Sequence, residues 1–259
     1  MAATYLDKIV ARHREIAGAD GRTLDPLVDR ARSMPAARGF RAALAGADRL
    51  AVISEIKRRS PSKGDLNVGL DPASMAMTYA AGGASCLSVL TDEEFFGGSI
   101  ADLQTARAAC ALPVLRKDFT VCPADVCDAR LMGADCVLLI VAALSRSEVI
   151  ELHRLAVDVG LDVLVEIHDE PELDVALAAG ATLIGVNQRD LVTFQVDHAR
   201  AERMAGLMPS GVVRVAESGL RDGDDARRLH AAGYHAVLVG ETLVTAPDPA
   251  AVIADLRKN

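Results

Sequence analysis

From Leu50 onward the chain alternates between two patterns: a short continuous apolar run rich in Val, Ile and Leu, then a stretch with helical periodicity. The runs are Leu50–Lys57, Cys86–Leu90, Pro113–Phe119, Cys136–Val141, Asp162–Ile167, Leu183–Gln188, Val213–Ser218 and Ala236–Gly240. The helical stretches that follow them are Pro72–Ala81, Ile100–Cys110, Ala124–Met132, Arg146–Val159, Pro171–Ala179, His198–Met208, Asp222–Ala232 and Pro249–Arg257. A strand apolar along its whole length is buried on both faces, which requires a parallel sheet covered by helices. Several helices end in a glycine followed by a short step into the next run: Gly82-Gly83, Gly133, Gly180 and Gly233. Glycine there accepts the left-handed conformation that stops a helix. Eight such units in 259 residues predict one (β/α)8 TIM barrel, class α/β. An open doubly wound sheet is the alternative, but no G-x-G-x-x-G follows the first run.

Residues 1–47 read differently, as a helical N-terminal extension packed on the barrel, so that 1–259 form one domain. Tyr5 to Ile16 places Leu6, Ile9, Val10 and Ile16 on one helical face. Leu24 to Met34 opens on Asp25-Pro26, a start signal, and Gly39 to Ala45 is a third short helix. The N-terminal stretch is amphipathic and charged and has no leader pattern. No apolar run approaches the roughly 18 residues of a membrane span, so a cytoplasmic protein with no membrane partner is expected.

Composition narrows the function. Acidic residues outnumber basic ones 36 to 28, a formal net charge of -8, which opposes nucleic acid as the partner. Hydrophobic residues make up 51% and aromatics only 3%, with no Trp, so the core is aliphatic and disorder is excluded. The five cysteines (Cys86, Cys110, Cys122, Cys127, Cys136) form no C-x-x-C pair and are expected as free buried thiols. Cys122 and Cys127 have weak ligand spacing and no nearby histidine cluster, so no metal site is expected.

In a (β/α)8 barrel the active site lies at the C-terminal ends of the strands. Those ends here read Glu55-Ile56-Lys57, Arg116-Lys117-Asp118, Glu166-Ile167-His168, Asn187-Gln188-Arg189, Glu217-Ser218-Gly219 and Gly240-Glu241. Charges inside apolar strands are costly to bury unless paired. One such residue is an ordinary barrel-capping salt bridge; six strand ends carrying them together make a site. Ser218-Gly219 and Gly240 are small enough for their amides to approach an anion, and the loops after strands 7 and 8 are the usual phosphate site of this fold. A phosphorylated small-molecule substrate is therefore expected. With no P-loop, dinucleotide fingerprint or H-E-x-x-H, no cofactor is expected, and the chemistry falls to side-chain acids and bases. The basic run Lys57-Arg58-Arg59-Ser60-Pro61-Ser62-Lys63-Gly64 follows strand 1 and reads as an anion-gripping lid. His13, His153, His198, His230 and His235 read as surface residues, and His168 as a neighbour of Glu166.

These residues together resemble the indole-3-glycerol phosphate synthase family. The resemblance spans nearly the whole chain and rests on Ile53–Gly64, Leu90–Ser99, Leu115–Phe119, Val165–Glu170, Gly185–Leu191, Val215–Gly219 and Leu238–Glu241. It implies closure of an indole ring from 1-(2-carboxyphenylamino)-1-deoxyribulose 5-phosphate, with loss of CO2 and water, in tryptophan biosynthesis. It implies that Lys117 is the general acid, Glu166 the base at the anilinic N–H, and Lys57 the contact to the substrate carboxylate and a candidate for the dehydration acid; which lysine serves which step stays open. Glu55, Asn187 and Glu217 resemble the orienting residues. Ser60, Ser218, Gly219 and Gly240 resemble the phosphate grip. Phe96, Phe119, Leu138 and Leu191 are expected to form the aryl slot, Arg189 to offset the bound carboxylate, and Leu238 and Glu241 to complete the substrate contacts. Gln188 is a mild departure, with its side chain expected to point away from the mouth. The chain is expected to act as a monomer.

Competing readings are weaker. Phosphoribosylanthranilate isomerase, another phosphate-binding barrel, needs a Cys–Asp pair, and strand 1 here ends in Glu55-Ile56-Lys57. A non-catalytic phosphate-binding barrel would not need Lys57, Lys117 and Glu166. An RNA contact through the Lys57–Lys63 run is opposed by the net charge of -8.

Overall fold

The computed structural model describes residues 4–258; Met1–Ala3, where the amphipathic N-terminal stretch begins, and Asn259 lie outside the described residues. Eight parallel strands form a closed barrel in sequence order: β1 (Ala51–Ile56), β2 (Cys86–Leu90), β3 (Val114–Lys117), β4 (Cys136–Ile140), β5 (Asp162–Ile167), β6 (Leu183–Asn187), β7 (Val213–Glu217) and β8 (Ala236–Val239). The barrel closes where β1 pairs with β8, from Ala51 opposite Ala236 to Ser54 opposite Val239. The strand starts and ends fall within a residue or two of the apolar runs.

The side chains of each strand alternate between two environments, as a pleated backbone requires. Ala51, Ile53, Cys86, Leu115, Cys136, Leu138, Leu164, Leu183, Val215 and Leu238 point inward and pack into one buried cluster. Their neighbours Val52, Leu87, Val114, Val137, Val163, Ile184 and Val237 point outward into a second cluster beneath the helices. The helices α4 (Pro72–Ala81), α5 (Ile100–Ala109), α6 (Pro123–Leu131), α7 (Arg146–Asp158), α8 (Glu170–Ala178), α9 (Arg200–Ala205), α10 (Gly223–Ala231) and α12 (Pro249–Leu256) supply that cover, numbered after the three helices of the extension. Gly83, Gly133, Gly180 and Gly233 adopt φ between +83° and +98°, the left-handed stop the sequence predicts. A further short helix, α11 (Glu241–Val244), follows β8 directly.

The extension touches the barrel at both ends. In α3 (Phe40–Ala45), Phe40 and Leu44 are fully buried and join the inward-facing cluster. The segment is tied to strand starts: the Arg38 N–H donates to Asp135 and the Arg41 N–H to Asp162, each at 2.8 Å. It therefore plugs the N-terminal face, and Phe40→Ala would cost about 3–5 kcal/mol in lost burial and cavity. In α2 (Leu24–Arg32), packing runs against α6, and the preceding Arg22 bonds Asp128 of α6 at 2.7 Å. α1 (Tyr5–Ala19) begins with a capping box between Thr4 and Asp7 and lies over the opposite, C-terminal end, where its Tyr5, Leu6 and Ile9 face the mouth.

No helix among the described residues is long and apolar enough to cross a membrane. The five cysteines are free, but only Cys86, Cys127 and Cys136 are buried; Cys110 and Cys122 are half-exposed at helix ends, contrary to the expectation of burial for all.

Candidate active site

The inward parity that fills the lower barrel with aliphatics delivers the charged residues one step further along. Glu55 follows Ala51 and Ile53, Lys117 follows Leu115, Glu166 follows Leu164, Asn187 follows Leu183 and Gly185, and Glu217 follows Val213 and Val215. They converge on a cavity of about 440 Å³ at the C-terminal face, a size suited to a small metabolite. Glu55, Lys57, Ser60, Phe96, Lys117, Phe119, Glu166, Asn187, Arg189, Leu191, Glu217, Ser218, Gly219, Leu238, Gly240 and Glu241 all line it. Leu138 does not. It points inward, as expected, but lies one layer down in the packed core, and Ile140 on the same face of β4 takes the place at the wall.

Opposite charges face each other across the floor. Lys57 Nζ is 2.6 Å from Glu55 Oε1, and Lys117 Nζ is 3.8 Å from Glu166 Oε2. Asn187 donates its amide to Glu166 Oε1 at 3.0 Å and accepts the Arg189 N–H at 3.0 Å through its carbonyl oxygen. Burial alone would lower the Lys117 ammonium, but Glu166 and Glu55 outweigh it and hold Lys117 above the ordinary lysine value. Burial alone would raise the Glu55 carboxyl; Lys57 and Lys117 outweigh it and hold Glu55 below the usual carboxylate range. Lys117 is thus held as an ammonium beside the Glu166 side chain.

Polar and apolar parts of the wall separate. Phe96 and Phe119 stand 6.1 Å apart between ring centroids, with Leu191 and Leu238 also on the wall. On another part, Ser218 and Gly219 both adopt left-handed backbone, φ 65° and 74°. For serine that conformation is unusual and concentrates at functional turns. A Cβ at Gly219 would lie 2.4 Å from Val196 Cγ1, and one at Gly240 would lie 2.4 Å from Glu55 Oε1, so neither position has room for a side chain. Gln188 turns away from the mouth, donating to the Ser218 carbonyl at 2.9 Å.

The basic run after β1 divides its labour. Arg58 pairs with Asp102 of α5, and Arg59 donates to the Glu93 and Glu94 carbonyls at 2.7 and 2.5 Å. These two arginines anchor the loop instead of gripping an anion. Lys57, Ser60, Pro61, Ser62 and Lys63 face the cavity, steadied by a two-residue antiparallel pair, Arg59–Ser60 with Gly64–Asp65. Lys63 reaches Glu241 at 3.6 Å, and Arg189 reaches the same carboxylate at 3.8 Å.

The sequence reading missed several wall residues. Tyr5, Leu6 and Ile9 come from α1, whose apolar face was legible although its docking place was not; Phe194, Val196 and His198 come from the loop after β6, Arg221 from the loop after β7, and Thr242 from α11 after β8. Three histidines expected on the surface are not there: His153 is buried on α7, His198 is half-buried at the cavity wall, and His13 of α1 is half-buried, its Nε2 3.0 Å from Asp92 and 3.7 Å from Asp118. The donor atoms of His13, Asp92 and Asp118 lie within 4.8 Å of one another. Their lone pairs are engaged: Asp92 caps the Phe95 and Phe96 N–H groups, while Asp118 accepts from Thr91, Arg116 and the Phe119 N–H. The trio is a hydrogen-bonded clamp that docks α1 on the loops bearing Phe96 and Phe119.

A closed β/α barrel with lysines and glutamates opposed at its C-terminal mouth, an aromatic wall and a cramped small-residue corner defines an acid–base enzyme acting on a small anionic aromatic molecule. A family model described as indole-3-glycerol phosphate synthase matches residues 6–256. The indole-3-glycerol phosphate synthase of Leifsonia xyli subsp. xyli is 53% identical over 215 residues, covering 83% of this chain and 82% of its own. Indole-3-glycerol phosphate synthase 2 of Streptomyces coelicolor is 51% identical over 235 residues, 91% of each chain. The chain belongs to the indole-3-glycerol phosphate synthase family, whose reaction is a decarboxylating ring closure, a lyase step of tryptophan biosynthesis acting on a phosphorylated small molecule. The solved structure of thiamine phosphate pyrophosphorylase from Pyrococcus furiosus shares the fold alone, with a TM-score of 0.60 at 16% identity over 80% of this chain and 93% of that one.

Proposed function

We propose that this chain runs the ring closure with Lys117 as general acid and Glu166 as general base. The observation that carries the reading is the pair itself: a half-buried lysine and a buried glutamate 3.8 Å apart at the floor of the cavity, below the aromatic wall. The aryl ring of 1-(2-carboxyphenylamino)-1-deoxyribulose 5-phosphate packs against Phe96 and Phe119, with Leu191 and Leu238. Its carboxylate faces Lys57 and Arg189. Its phosphate enters the corner formed by Ser60, Ser218, Gly219 and Gly240.

The ring carbon bearing the carboxylate attacks the sugar carbonyl, and Lys117 gives a proton to the developing alkoxide. An alkoxide is a far stronger base than an amine, so a lysine held above its ordinary value still serves as donor. The C–CO2 bond then breaks and its electron pair returns to the ring. Dehydration follows: Glu166 takes the anilinic proton, and the hydroxyl leaves as water on a proton from Lys57 or Lys117. Glu55 orients Lys57, and Asn187 orients Glu166. Packing the ring at near-attack distance from the carbonyl contributes much of the acceleration. A monomer in the cytoplasm, with neither nucleic acid nor membrane as partner, suits such a biosynthetic step.

The test is to mix the purified protein with this substrate and follow indole fluorescence together with CO2. The chain has no Trp, so the background is low. Indole emission with stoichiometric CO2 is the expected result; bound substrate with neither product would refute the reading.

A further inference from the structure

Five ionisable side chains meet on the cavity floor: two lysines, Lys57 and Lys117, against three buried glutamates, Glu55, Glu166 and Glu217, which are 3%, 1% and 2% exposed. Two of the carboxyls have an ammonium of their own, Glu55 with Lys57 at 2.6 Å and Glu166 with Lys117 at 3.8 Å. Glu217 has none. Its carboxyl leans over Gly185, the β6 residue that pairs with Glu166 in the sheet, while its own strand partner Asn187 donates to Glu166, so the two carboxyl groups are brought together across β6. It is pressed against β6, where a Cβ in place of Gly185 would fall 1.9 Å from its Oε1. Glu217 Oε1 and Glu166 Oε2 are both buried without a hydrogen-bond donor among the described residues. Among the described residues no cation pairs with Glu217: Glu55 and Lys57 come from β1 and the residue after it, Lys117 from β3, Glu166 from β5 with His168 3.8 Å from its Oε1, the neutral Asn187 from β6 followed by Arg189, which reaches Glu241 instead, and the apolar Leu238 from β8.

Two carboxyl groups this close in a buried site do not both ionise; they share one proton. Lys117 and the Asn187 amide both face Glu166, so the negative charge belongs there and the proton belongs on the other member. We propose that Glu217 is a neutral carboxylic acid at neutral pH and donates its O–H to Glu166, holding that base ionised and oriented. Glu217 is then a positioning residue acting through Glu166, not a third anion. Burial first, and Glu166 second, push its carboxyl well above the usual range. The assignment also matches the two lysines with two carboxylates, with the basic His168 3.8 Å from Glu166, whereas a third carboxylate would repel a substrate that carries both a carboxylate and a phosphate. When Glu166 takes the anilinic proton, the N–H bond breaks, an O–H bond forms on Glu166, and the Glu217 O–H stays intact.

The kinetic part of this inference rests on Glu166 being the base; the spectroscopic part does not. Difference infrared spectra of wild type against Glu217→Gln at pH 7 should show one neutral-carboxyl stretch that the variant lacks, shifted in heavy water; its absence would overturn the proposal whatever the activity. In turnover, Glu217→Gln keeps a donor for Glu166. It should lose less than about tenfold in kcat, and its alkaline limb should move to higher pH, leaving only the limb of the lysine acids, while Glu217→Ala should lose more than about a hundredfold. Equal losses in the two variants, or an unchanged alkaline limb in the Gln variant, would overturn it. Stability provides a third readout. A carboxyl whose folded pKa is raised contributes stability below its unfolded value of about 4.3 and loses it as pH climbs toward the folded value. The Tm advantage of Glu217→Gln over wild type should therefore widen as pH rises from about 4. A gap flat with pH would refute the proposal.

Discussion

Gly240→Ala is a one-carbon change whose effect can be worked from distances. The new Cβ would sit 2.4 Å from Glu55 Oε1 and 3.1 Å from Lys57 Nζ. Ordinary contact lies near 3.5 Å, so the carboxylate must retreat by about 1 Å. It has nowhere easy to go: Glu55 is 3% exposed and its other oxygen accepts from Ser88 Oγ at 3.3 Å. Its 2.6 Å contact with Lys57 must lengthen, and Lys57 must leave its place at the substrate carboxylate. A displacement of that size in a positioned group is worth about a hundredfold in rate, or about 2.7 kcal/mol. Overpacking adds about 1–3 kcal/mol of destabilisation, which thermal melting would report. The assay is kcat/KM by indole emission on protein shown to be folded. The control is Gly206→Ala, at φ -73° with no atom within 4 Å of the new Cβ, which should leave the rate unchanged and not lower the melting temperature. Wild-type kcat/KM in Gly240→Ala would refute the claim that the Glu55–Lys57 pair must hold its place.

Other perturbations separate the parts of the account. Gly219→Val meets both a left-handed backbone, φ 74°, and Val196 at 2.4 Å, so it should act mainly by raising KM; a normal KM would place the phosphate elsewhere. Glu166→Gln removes the base while keeping the shape, and should lower kcat by at least about a hundredfold; an unchanged rate removes Glu166 from the scheme. Asp135→Ala leaves the half-buried Arg38 N–H, the buried Val114 N–H and the Arg107 guanidinium without their shared acceptor. That should cost about 3–5 kcal/mol with kcat of the folded fraction retained, and a loss below about 1 kcal/mol in denaturant titration would contradict it.

The barrel and most of its mouth were legible in the sequence for one physical reason: period two. Continuous apolar runs marked the strands, and the parity that points Leu115 and Leu164 inward also points Lys117 and Glu166 inward. Depth was harder. Leu138 has the right parity but sits one layer below the cavity, and Ile140 replaces it, because alternation gives the side of a strand and not the height of the floor. Long-range docking was hidden. The apolar face of α1 was visible, but its contact through His13 with Asp92 spans 79 residues and leaves no local signal. Elements shorter than a periodicity window were also hidden, such as α11 at Glu241–Val244. The stretch His198–Met208 carries a helix only over Arg200–Ala205 because its start is held at the cavity wall behind the Arg189–Val196 bridge. The arginines of the basic run looked like an anion grip because charge is read from sequence and partners are not; Asp102 and the Glu93 and Glu94 carbonyls hold them.

The most direct test of the central claim is Lys117→Ala, with binding and turnover measured on the same preparation. The account requires that the carboxyphenylamino-deoxyribulose phosphate still binds, because the aryl wall and the phosphate corner are intact, while indole emission and CO2 release fall to the limit of detection. Turnover at the wild-type rate would contradict the assignment of the acid and, with it, the proposed division of labour across the mouth.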